Sequence, residues 1–168
     1  MPSIKRTVEG KQKGMAEGRL LLEYRSTPVM NPMGGITIRV YDQPEANLCW
    51  MTGKGECRMT LTEDELLQIR MLAKGLGLPS GRTVMDIRSQ TAVMDGYTDS
   101  LELHGDDGIK SIRAFNLEAL CEEQLPIDGA LAATSEKEWT AAVTDIETQH
   151  RLLLYYRILR SILAKHQA

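Results

Sequence analysis

The densest group of candidate metal ligands in this 168-residue chain is Asp95-Gly-Tyr-Thr-Asp99, followed by Glu102, Asp106 and Asp107. Clustered carboxylates suit a hard cation such as calcium or magnesium, which takes oxygen ligands in a fixed order along a loop. An EF-hand loop needs oxygen donors at its first, third and fifth places, glycine at the sixth and glutamate at the twelfth. Counting from Asp95, Tyr97 falls third, Ser100 sixth and Asp106 twelfth, so the spacing fails. Asp-Gly pairs in turns explain these acids, and neither a metal nor another cofactor is expected.

His104 stands beside Asp106 and Asp107, a combination that could move a proton, but the sequence designates no nucleophile or metal for it to serve. His150 and His166 have no acid or cysteine one helical turn further on. Cys49, Cys57 and Cys121 form an odd set without CxxC spacing. They read as buried free thiols of a reducing cytoplasm, although Cys49 and Cys57 flank a turn and could face one another across it. No Gly-x-Gly-x-x-Gly, Walker loop, Gly-x-Ser-x-Gly or His-Glu-x-x-His occurs. No catalytic residue is therefore nominated, and an enzyme of unknown class stands only as an alternative.

Two sets of residues point to binding. Val29, Met30 and Met33 lie in the connection Thr27-Pro-Val-Met-Asn-Pro-Met-Gly-Gly35, whose two prolines and glycine pair exclude a regular element. Such a loop is expected to be polar, so its apolar residues either fold back over the end of a sheet or meet a partner. Arg39 and Tyr41 share one face of a predicted strand, with Arg58 on a neighbouring one; cationic and aromatic groups on a sheet can neutralise and stack single-stranded nucleic acid.

The elements that must hold these residues follow from periodicity. Leu20, Leu22 and Tyr24, then Ile36, Ile38 and Val40, alternate with mostly polar neighbours and predict two strands with one buried face each. Leu48–Met51 and Glu56–Leu61 flank Thr52-Gly-Lys-Gly55, and Tyr97–His104 and Ile109–Phe115 flank Gly105-Asp-Asp-Gly108; each set predicts a hairpin. Thr83–Val93 is a weaker strand. Thr62 followed by Glu65 makes a capping box at the start of a helix whose Leu66, Ile69, Ala73 and Leu76 share a face, and Gly75, Gly77 and Pro79 end it. Leu117–Cys121 can form a helical turn, and Pro126, Asp128 and Gly129 predict a loop. Residues 1–18, with Lys5, Arg6, Lys11 and Lys13 and little that is apolar, read as a basic arm ahead of one domain over 19–168.

A last helical run from Ser135 to Lys165 opens with a second capping box, Ser135 to Glu138. Trp139, Ala142, Val143 and Ile146 lie within about a quarter-turn of one another at 100° per residue, whereas Leu152, Tyr155, Tyr156, Leu159, Ile162 and Leu163 cluster on the far side. One straight helix of this length would reach about 46 Å, beyond the roughly 40 Å diameter of a domain this size. Either the helix breaks near Gln149–Arg151 or its halves bury against different bodies, with Tyr155, Leu159 and Ile162 facing a second copy or another protein. The ordered charges, acidic first and basic last, follow the helix dipole.

The fold class is thus α+β: a single antiparallel sheet of about five to seven strands, covered on one face by the central helix and a long or kinked C-terminal helix. In element order over about residues 19–165 it resembles the small bacterial proteinaceous inhibitors of thermolysin-like metallopeptidases, a likeness of outline that carries no residue over. A net charge of −3, pI near 5.7 and the lack of a bilayer-length apolar run exclude a generalised polyanion footprint and an integral membrane protein. The expectation is a non-catalytic cytoplasmic protein-binding module, such as an inhibitor, immunity-type or adaptor protein. Its contacts would be Val29, Met30, Met33, Tyr155, Leu159 and Ile162. Single-stranded nucleic acid through Arg39, Tyr41 and Arg58 is the alternative.

Overall fold

The structure is a computed structural model that describes residues 18–85, 96–117, 125–144 and 146–167. Residues 1–17 of the expected arm, the stretch beyond Met85 of the weak strand, Asp95, Cys121 and most of the turn at Leu117–Cys121 lie outside them. Two runs of antiparallel strands meet edge to edge. The first holds β1 (Arg19–Pro28), β2 (Ile36–Asp42), β3 (Leu48–Thr52) and β4 (Gly55–Met59). The second holds β6 (Tyr97–Gly105) and β7 (Gly108–Phe115), with β5 (Gly81–Met85) at its outer edge, giving the order β4-β3-β2-β1-β6-β7-β5.

The hairpin turns fall where the glycines required them: Thr52 pairs with Gly55 and Gly105 with Gly108. The sheet is mostly antiparallel, but β5 runs parallel to β7 and so departs from the expected all-antiparallel arrangement. Helix α1 (Glu63–Lys74) carries the chain across the sheet from β4 to that far edge, so no tight turn forces β5 to run antiparallel. Thr62 Oγ accepts from the Glu65 amide and the Glu65 carboxylate accepts from the Thr62 amide, completing the capping box. At the other end Gly75 adopts φ 55°, and the buried Lys110 ammonium donates to the Gly75 carbonyl at 2.9 Å, placing a cation at the negative end of the helix.

Three helices stand where one loop and one long run were expected. They are α2 (Asp128–Leu131), α3 (Glu136–Thr144) and α4 (Thr148–Ala164). A single helical turn thus replaces the Pro126–Gly129 loop. The second capping box forms by halves: Ser135 Oγ accepts from the Glu138 amide, but the Glu138 carboxylate turns to the amide and hydroxyl of Thr134.

The break in the last run falls between Thr144 and Thr148, a few residues ahead of Gln149–Arg151. Arg151 seals it, donating to the carbonyls of Ile146 at 2.5 Å, Thr144 at 2.8 Å and Gly77 at 3.2 Å. These are carbonyls that an ended helix and a loop leave without partners. Trp139 and Val143 of α3 and Leu152–Tyr156, Ile158, Leu159, Ile162 and Leu163 of α4 all belong to one core, packed with α1 on the same face of the sheet. The reversed apolar face is therefore a kink inside one chain. Tyr155, Leu159 and Ile162 are 0% exposed, which corrects their assignment to a partner surface: the chain's own sheet and helices already cover them.

Candidate functional site

The loop between β1 and β2 stays on the outside because both of its ends are clamped. β1 runs three residues past Arg25, to Pro28, and the Val29 amide adds one more rung by donating to Gly96 at 2.9 Å. The chain then makes one 3-10 turn at Pro32–Gly34, closed by the Gly34 amide on the Asn31 carbonyl, and returns as β2 with Ile36 opposite Ser26. Too few residues remain for the loop to fold back. Val29, Met30 and Met33 stand 55%, 68% and 87% exposed.

Pro28 and Gly34, at the two ends of this loop, line a cavity of about 500 Å³ whose far wall is Tyr156 and Arg160, one turn apart on α4. Its base is formed by Tyr24 and the buried Asp99, with the Tyr24 hydroxyl donating to Asp99 Oδ1 at 2.9 Å. Burial and then the Asp99 charge push the Tyr24 phenol up to about 12, and burial together with the neighbouring Tyr24 raises Tyr156 further. Both phenols therefore stay protonated at neutral pH, as hydrogen-bonding groups rather than bases. Asn116, held at φ 52°, accepts the Tyr97 amide at 3.1 Å and fixes the rim, where Tyr97 is half exposed. Lining of this kind, largely apolar with a few converging polar groups, is that of a recognition pocket.

The other candidate residues scatter. His104 Nε2 lies 3.4 Å from Glu102 Oε2, while Asp106 turns to Arg19 and Asp107 to Lys110, so the His–Asp combination open to the sequence does not assemble. His104 is also about 17 Å along β6 from Asp99 and the cavity. Register puts Cys49 opposite Arg58 and Cys57 opposite Trp50, hence on opposite faces of the hairpin. Both thiols are free; Cys49 is buried, whereas Cys57 is exposed, contrary to expectation. Among the described residues no three His, Cys, Asp or Glu side chains are grouped to hold a metal, and no helix is long and apolar enough to cross a membrane.

Arg39, Tyr41 and Arg58 do share the sheet face opposite the helices. Arg39 is taken by Glu23 at 2.6 Å, and the Arg58 guanidinium lies 5.8 Å over the Tyr41 ring. Tyr41 is itself buried, so its ring is not open for a base to stack on. What sequence reasoning missed is the cavity's polar set of Tyr24, Asp99, Tyr156 and Arg160. One signal was available: in the alternation Tyr97, Asp99, Leu101, Leu103 a carboxylate occupies an inward position, as the ammonium of Lys110 does in Lys110, Ile112, Ala114. A charge on a core face must be paired, and its partner marks a specific contact. No known protein family, curated protein or solved structure matches this chain.

Proposed function

We propose that this is a non-catalytic protein-binding module, of the inhibitor, immunity or adaptor kind, acting in the cytoplasm. It engages another protein, or a second copy of itself, through the Val29–Met33 loop and the cavity beside it. The observation that carries this reading is three large apolar side chains within five positions, Val29, Met30 and Met33, held in solvent on a loop clamped at both ends, next to a cavity lined by the residues that bracket it. Exposed apolar groups around a pocket are how protein interfaces anchor, a side chain of the partner filling the pocket and the rim excluding water. The unpaired Cys49 and Cys57 are in keeping with a reducing compartment.

The test is photo-crosslinking in the native cell from a reactive group at Met33, with the same group at the exposed Lys137 of α3 as control. One protein, or a second copy, crosslinked from Met33 alone and lost in the Met30→Asp/Met33→Asp variant is the expected result. Equal capture from both positions, or capture indifferent to those substitutions, defeats the reading. Single-stranded nucleic acid is a second reading, favoured by Arg25, Arg39, Arg58, Arg82 and Arg113 all falling on the face that no described helix covers. It predicts binding that weakens steeply with salt.

A further inference from the structure

We infer that the open sheet face carries a second site, one for a phosphate-type oxyanion, and that it is independent of the loop and cavity described above. Register creates it. Ser100 on β6 sits between Arg25 on β1 and Arg113 on β7, and Ser111 on β7 sits between Glu102 on β6 and Arg82 on β5. Short side chains flanked by long ones leave a trough, here about 370 Å³, floored by hydroxyls. Arg25 and Arg113 stand two strands apart, about 10 Å, which is close to the span of one tetrahedral oxyanion with a hydrogen bond on either side.

The charge in the trough opposes that of the molecule. On a chain of net charge −3, the described residues that line it include three guanidinium groups and one carboxylate, that of Glu102, which lies 3.4 Å from His104. Arg25 also pairs at 2.7 Å with Glu23, which stands opposite Glu102 in the β1–β6 register. Arg113 lies over the Phe115 ring, and neither it nor Arg82 meets a carboxylate among the described residues. Forked guanidinium donors with hydroxyls beneath them are the donor set that phosphoryl oxygens select. Phosphate of this kind comes either from a free phosphate compound or from a single-stranded nucleic acid; the chemistry recognised is the same.

The site is tested by titrating the whole chain with inorganic pyrophosphate, against chloride at matched ionic strength, and following amide and arginine side-chain NMR signals. Saturable shifts centred on Ser100, Ser111, Arg82 and Arg113 are expected. The Arg82→Gln/Arg113→Gln variant should weaken binding at least about 10-fold, from the loss of two charge-assisted donors, and Lys137→Gln, which removes a charge from the helix layer, should stay within about 2-fold. Arg82 and Arg113 are exposed, and the amide spectrum itself reports that the fold persists. A short thymidine oligonucleotide in the same titration separates the sources: tighter, salt-sensitive binding that needs Arg82 and Arg113 indicates the polymer, and binding no tighter than pyrophosphate indicates a free compound. Shifts that fail to saturate, that chloride reproduces, or that the double variant leaves unchanged overturn the site.

Discussion

Replacing Arg151 with alanine removes a side chain that ties the start of α4 to the end of α3 and to the loop after α1. Its Nε meets the Ile146 carbonyl at 2.5 Å in a partly buried position, while its two terminal nitrogens reach Thr144 and Gly77 in more exposed ones. A hydrogen bond from a charged donor contributes about 1.5–3 kcal/mol, and that range applies to the partly buried bond. The two exposed carbonyls can turn to water and are assigned about 0.5 kcal/mol each. Arg151→Ala should therefore cost about 2.5–4 kcal/mol. For a chain of this length that is a fall in midpoint temperature of roughly 5–15 °C. Urea and thermal unfolding followed by circular dichroism measure it. Arg151→Lys separates the fork from the charge: an ammonium on a shorter stem reaches fewer of these carbonyls, so most of the loss should remain. A lysine variant as stable as the parent, or an alanine variant within about 0.5 kcal/mol of it, would refute the idea that the guanidinium bridges the break.

Three further outcomes follow from the packing. Leu159→Ala should cost about 2–5 kcal/mol, as for a large core residue, with a midpoint that does not vary with protein concentration; a concentration-dependent midpoint would restore α4 as an interface between copies. Burial alone would raise the Glu65 carboxyl, but the Thr62 amide and His166 hold it below its ordinary value of 4.5. Its contribution is then complete above the unfolded value and disappears as pH falls through the folded one, so Glu65→Gln should flatten the acid side of a stability-against-pH curve below about pH 5 and leave the alkaline side alone. Gly75→Ala puts a Cβ at φ 55° and 2.8 Å from Lys110 Cδ, and should destabilise by about 1–2 kcal/mol in urea unfolding; a neutral result would mean that the α1 terminus rearranges freely.

Local chemistry determined much of this molecule. Thr62 and Glu65 start α1 and Gly75 ends it because their bonds close within a few residues, and the glycine turns define both hairpins for the same reason. The break in the C-terminal helix was legible as one of two alternatives, since a change of apolar face in a 3.6-residue period requires either a break or two packing bodies. Its position was not, because Arg151 secures it through carbonyls as distant as Gly77. Apolar periodicity marked Tyr155, Leu159 and Ile162 as buried, but it does not say by what. Only the tertiary structure decided that the cover is the chain's own core. The cavity and the arginine trough lay further still beyond reach. Tyr24 meets Asp99 across 75 positions, and Arg25, Ser100 and Arg113 align through the order in which strands pair, which strand periodicity leaves open.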